Sequence, residues 1–76
     1  MEIGMLWFDN DKQVDLNIKV KRAADYYKKK YRKKPTLCFV NPETNPNNLE
    51  KSNNIEIRET STMLKNHFWI GVKSSD

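Results

Sequence analysis

The chain has 76 residues, 37% of them hydrophobic and eight of them Phe, Trp or Tyr, which suffices for one small domain of at most two packed layers. Fourteen Lys and Arg against ten Asp and Glu give a net charge of +4, a balance that favours acidic partners without requiring them. No apolar run approaches the length of a membrane helix, and a single Cys with a single His excludes both an intramolecular disulfide and a four-ligand zinc site.

Ile3 to Phe8 is short, almost wholly apolar and bounded by Asp9-Asn10-Asp11, which reads as a central strand rather than a signal peptide or a span. Beyond Asp15, the residues Leu16, Val20, Ala23, Ala24, Tyr27 and Tyr31 recur at spacings of three and four. They form one stripe of an amphipathic helix that Asp11 or Asp15 can cap and that must end before Pro35. Thr36 to Val40 is a second strand, and strand, helix, strand at this spacing predicts two parallel strands joined by a crossover. Residues 41–53 open with two prolines and four asparagines in eight residues, which predicts a surface loop. Ile55 and Ile57 alternate with Glu56 and Arg58 as in a strand with one wet face, suited to a sheet edge. Residues 61–66 can hold a helical turn carrying Met63 and Leu64 inward. His67 to Val72 is the last strand, with Phe68, Ile70 and Val72 on one face and His67, Trp69 and Gly71 on the other.

The expected fold is therefore a small two-layer α/β domain spanning residues 1–76. Its order is β-α-β-(long loop)-β-β, with a four-stranded mixed sheet, one long helix on one face and a flexible tail at 74–76. One helix covers only one sheet face, so Trp7 and Trp69 become candidates for an interface on the other, and a homodimer is expected.

Lys28-Lys29-Lys30-Tyr31-Arg32-Lys33-Lys34 carries six positive charges in seven residues, and the remainder of the chain holds eight bases against ten acids. Together with Lys21 and Arg22, these residues project as a broad basic surface opposite the apolar stripe. Such a surface can track a polyanion by releasing its counterions, and it can equally be a solvated face that complements the negative helix end. Trp7, Tyr26, Phe68 and Trp69 are candidate stacking side chains, against the more ordinary role of filling the core. Asp9 and Asp11, with Glu43 as a third group, emerge at one end of the expected parallel strands, where paired carboxylates can hold Mg²⁺ or simply cap turns. His67 lies at a strand start without a sequence-evident nucleophile, and Cys38 falls in the apolar run Leu37 to Val40, as a buried inert thiol would.

A strand ending in Asp9, followed by a basic helix ending in Lys28-Lys29-Lys30-Tyr31, loosely resembles the small CRISPR-adaptation nuclease-like proteins over Met1 to about Tyr31. Their second helix and ferredoxin-like sheet have no counterpart in the sequence, so neither their activity nor their partner is carried over. The sequence favours a non-catalytic binding or accessory protein that contacts nucleic acid, or another acidic partner, through its basic helix. Its alternatives are a protein-interaction module using the exposed aromatic sheet face and a Mg-dependent phosphodiester hydrolase using Asp9 and Asp11. No cofactor, no membrane and a cytoplasmic location are expected, since a lone cysteine and no Asn-x-Ser/Thr site suit a reducing interior.

Overall fold

The computed structural model describes residues 4–73, so the tail expected at 74–76 lies outside the described residues. In chain order the elements are β1 (Gly4–Phe8), α1 (Leu16–Tyr31), β2 (Leu37–Val40), a 3-10 turn (Pro42–Thr44), β3 (Lys51–Ser52), β4 (Ile55–Glu59) and β5 (His67–Gly71). The five strands form one mixed sheet in the order β1-β5-β2-β4-β3. β5 runs antiparallel to both β1 and β2, β2 is parallel to β4, and β3 is antiparallel to β4.

Helix α1 forms where the apolar period predicts. Asp15 is its N-cap, with Oδ1 accepting from the Ile18 N–H at 3.1 Å. The helix closes when Arg32 turns left-handed (φ 60°) and its N–H donates to the Lys28 carbonyl at 2.8 Å. Leu16, Val20, Ala23, Ala24 and Tyr27 are its buried residues. They pack against Cys38 and Val40 of β2, Ile55 and Ile57 of β4, and Phe68 and Ile70 of β5. Each large apolar side chain so buried contributes about 1.5–3 kcal/mol. These few residues therefore carry most of the stability a domain of this size can have.

The architecture departs from expectation in the sheet. Among the described residues there are five strands, not four, and the first and second are co-directional without being neighbours, because β5 lies between them. The position of β5 follows from its composition: as a strand apolar on both faces it serves best in the interior, hydrogen-bonded on both sides. That displaces β1, read as central, to the edge, and it moves Ile55–Glu59, read as an edge, into the interior beside β2.

The segment expected as a plain surface loop is largely organised. Asn41 accepts from the Glu43 N–H at 2.8 Å and donates to the Met63 carbonyl at 2.7 Å. Asn45 is buried, its Nδ2 donating to the Leu49 carbonyl and to Glu59 Oε2, both at 3.0 Å, while its Oδ1 accepts from the Leu49 N–H at 2.9 Å. Asn53 and Asn54, at φ 53° and 63°, make the two-residue turn that asparagines favour in a tight hairpin, and so create β3. Residues 61–66 form turns rather than the expected helical turn, with Leu64 pointing to solvent and Met63 half-buried.

Candidate nucleic-acid interface and open sheet face

The basic segment lies at the end of α1 and in the connection to β2. Lys28, Lys29, Lys30, Arg32, Lys33 and Lys34 are all exposed. None of the six forms an ion pair among the described residues, and Lys30 leans over the Tyr31 ring at 5.4 Å. Lys28, Lys29 and Lys30 lie in the last helical turn, at the negative end of the helix dipole, which favours cations. Lys28 and Lys34 also line a groove of about 440 Å³ shared with Thr36, Asn53 and Asn54.

The other two predicted basic residues are engaged. Lys21 reaches Asp25 one turn along at 3.0 Å. Arg22 lies between Asp9 and Asp11, at 3.3 and 3.1 Å. The eight residues grouped by sequence thus divide into six free cations at one end of the molecule and two that close local pairs.

Asp9, Asp11 and Glu43 do emerge at the same end of the sheet, as expected from strand direction, but the two aspartates build turns. Asp9 Oδ1 accepts from the Asp11 N–H at 3.1 Å and Asp11 Oδ1 from the Gln13 N–H at 2.9 Å, leaving the second oxygen of each to Arg22. The Gln13 N–H, and after it the Arg22 guanidinium, hold the Asp11 carboxyl below the usual carboxylate range. The same contacts, from Asp11 first and then Asp9, push Arg22 upward. Glu43 is exposed and pairs with Lys65 at 3.3 Å. Among the described residues, no three His, Cys, Asp or Glu side chains come together as a set that could hold a metal ion.

The aromatic candidates separate by strand parity. Trp7 stands opposite Phe68 in the β1–β5 register and faces the helix, its ring 5.4 Å from that of Tyr26. It is therefore on the covered side rather than the open face expected for it. Phe68 is wholly buried in the core. Trp69 does lie on the open face, opposite Leu6 of β1 and Phe39 of β2, with its ring 5.7 Å from Phe39. The indole lies across Gly4, where a Cβ would come within 2.0 Å of its Cζ2; a glycine is needed there for that close approach.

Phe39 and Trp69 floor a shallow depression of about 370 Å³ rimmed by Thr60, Thr62 and Met63. Glu56 on this face accepts from Arg58 Nε and from Lys73 Nζ, one anion between two cations. Those contacts, Arg58 first, lower the Glu56 carboxyl.

His67 makes its contacts to the Lys65 carbonyl, at 2.9 Å through Nδ1, and to the Phe8 ring at 4.8 Å. The Nδ1 facing a carbonyl is the donor, which fixes the tautomer and aligns no nucleophile. Cys38 is fully buried, and burial pushes its thiol up to about 12, where it is neither a thiolate nor reactive near neutrality.

Sequence reasoning missed the exposed pair Leu6 and Phe8, which share the open face with Trp69. The signal was present in the even positions of β1, and was hidden by taking that strand as central. No protein-family model, curated protein or solved structure matches this chain.

Proposed function

We propose that the protein is a non-catalytic binding module that holds nucleic acid through the end of α1. The observation that carries this reading is the state of the six cations from Lys28 to Lys34: exposed, broken only by Tyr31 and without an ion pair among the described residues, while Asp25, Asp9 and Asp11 are bound to Lys21 and Arg22. A helix surface kept merely soluble does not need its cations free of the chain's own carboxylates; a surface that meets phosphates does. Recognition of this kind is electrostatic and carries no base reading. In this reading the protein works as a homodimer, since two basic ends on one polyanion bind far more tightly than one.

The test is a fluorescence titration with a mixed-sequence oligonucleotide at two salt concentrations. With about four of the six cations on phosphates, log K falls against log salt with a slope of roughly −3 to −4. Replacing Lys28, Lys29, Arg32 and Lys33 by Gln flattens the slope, whereas Arg22→Gln, which breaks only the link to Asp9 and Asp11, leaves it nearly unchanged. No association at about 50 mM salt and tens of micromolar protein overturns nucleic acid as the partner. The same titration against an acidic peptide then tests the basic end as a protein-binding surface.

A second reading, a protein-interaction surface on the open sheet face, is favoured by the Phe39–Trp69 depression. Its aromatic floor suits an apolar protein partner better than a phosphate backbone.

A further inference from the structure

β1 is an edge strand without the usual protections. Between Gly4 and Phe8 it has no charge, no proline and no bulge, the devices that keep edges from pairing with other chains. The Asp9 N–H donates to the Asn66 carbonyl at 2.9 Å. By the alternation of an antiparallel ladder, Met5 and Trp7 then turn their backbone groups toward β5, and those of Gly4, Leu6 and Phe8 point outward.

The exposed apolar side chains gather around the same edge. Leu6 (69% exposed) and Phe8 (54%) lie on the open side. On the helix side are Ile18 (43%) and Tyr26 (49%), which share one stripe of α1 with Arg22. That stripe is fixed over β1 by the Trp7–Tyr26 ring contact and the Arg22–Asp9 pair. Leu64, the remaining exposed large apolar residue among those described, sits in the turn that leads into β5, beside the end of β1.

We propose that the occupant of this edge is a second copy of the chain, pairing β1 antiparallel to β1 about a two-fold axis at Leu6. This names the surface of the homodimer in the reading above and is independent of what the basic end binds. The register is self-complementary. Centred on Leu6, it sets Leu6 opposite its own copy and Phe8 opposite the partner's Gly4, each an outward-pointing position, and forms about six backbone hydrogen bonds. Phe8 then lies over the partner's glycine, the cross-strand aromatic-on-glycine arrangement that secures edge strands, against the indole that already crosses Gly4. Trp7 comes opposite the partner's Met5 on the helix side, a favourable sulfur–aromatic pairing.

Charge favours this antiparallel arrangement. The Lys28–Lys34 cluster lies at the end of the sheet where β1 begins, since it leads into β2, whose Leu37 stands beside Gly71, the partner of Gly4. A two-fold axis across β1 carries the two clusters to opposite ends of a ten-stranded sheet and keeps them apart.

Light scattering on the full chain at about 100 μM without nucleic acid should give about 18 kDa, twice the 9.0 kDa of one chain. Hydrogen exchange at the same concentration should show the Leu6 and Phe8 amides protected at least about 100-fold over the values at high dilution. Leu6→Lys, a change at a solvent-facing side chain, should restore a 9.0 kDa monomer with those amides exchanging freely and its circular dichroism unchanged. If the oligonucleotide still binds Leu6→Lys, more weakly but with its salt slope retained, the dimer surface and the basic end are separate. A monomer at every concentration overturns the proposal, and so does a dimer in which the Leu6 and Phe8 amides exchange freely or which Leu6→Lys leaves intact.

Discussion

The two flanks of α1 border the two edges of the sheet, and they are built from opposite chemistry. Toward β3 and β4 the helix offers Asn17, Lys21, Asp25 and Lys28 to a polar edge: Asn17 binds Ser52 and Asn53, and the β3 strand is two residues long and ends in an asparagine turn. Toward β1 it offers Ile18 and Tyr26 to an apolar edge five residues long. A domain this small is bound to leave some apolar surface in water, but that constraint would distribute it over both flanks. Its concentration on one flank, opposite a closed one, is the asymmetry on which the β1 pairing proposed above rests.

The closed edge should be the costlier one to damage. Asn45 holds the segment before β3 through three hydrogen bonds to Leu49 and Glu59 from a buried position. Asn45→Ala leaves the Leu49 N–H and carbonyl without partners, and a loss of about 2–3 kcal/mol in urea unfolding is expected. The amide of Ile57, which donates to the Glu50 carbonyl at 2.9 Å, should exchange faster in that variant. An unchanged urea midpoint would mean that the polar edge is not held by this residue, and the contrast between the flanks would weaken.

The open face beside the other edge should respond to the addition of an atom more than to removal. Gly4→Ala sets a methyl into the Trp69 indole, and a cost of about 1–2 kcal/mol is expected as the ring moves off the strand. Its fluorescence should shift to the red as the indole gains water. An unshifted spectrum would show that the indole has no fixed seat across β1.

These two sites also show where the sequence was legible. The helix could be read because its stripe, its Asp15 cap and its stop before Pro35 are local signals that agree with one another. Strand order could not, because the placement of β5 between β1 and β2 is decided by contacts far apart in the chain; the clue was only that Phe68 and Trp69 make both faces of that strand apolar. The hairpin at Asn53-Asn54 carried its signal openly, yet two strand residues are too few to register as a period. The basic run was plain in the sequence. Which of its neighbours were already paired was not, since Arg22 meets Asp9 and Asp11 only after the helix folds back over β1.

The Gln13 N–H, and after it the same Arg22 guanidinium, bring acid sensitivity to the β1 flank. Asp11 is lower in the folded state than in the unfolded chain, so its contribution is fully present above the unfolded value and is lost as pH falls through the folded one. Glu56, lowered by Arg58 and then Lys73, behaves in the same direction. The urea midpoint should therefore fall as pH drops below about 4.5, with Asp11→Asn giving a shallower fall than the parent chain. Equal slopes would remove Asp11 from the acid response; a steeper slope for the variant would reverse the sign.

The smallest expected effect is the most telling for the comparison. Leu6 is largely in water, so Leu6→Ala removes little that folding buries, and in dilute protein its unfolding free energy should lie within about 0.5 kcal/mol of the parent. A second copy on β1 adds a term that depends on concentration, because association stabilises only the folded state. Unfolding curves taken from dilute to concentrated protein should therefore climb for the parent and stay level for Leu6→Ala. Parallel curves at all concentrations would return Leu6 to an ordinary exposed side chain. A large loss in dilute solution would show instead that β1 depends on it within one chain, so that the apolar flank serves the fold and not a partner.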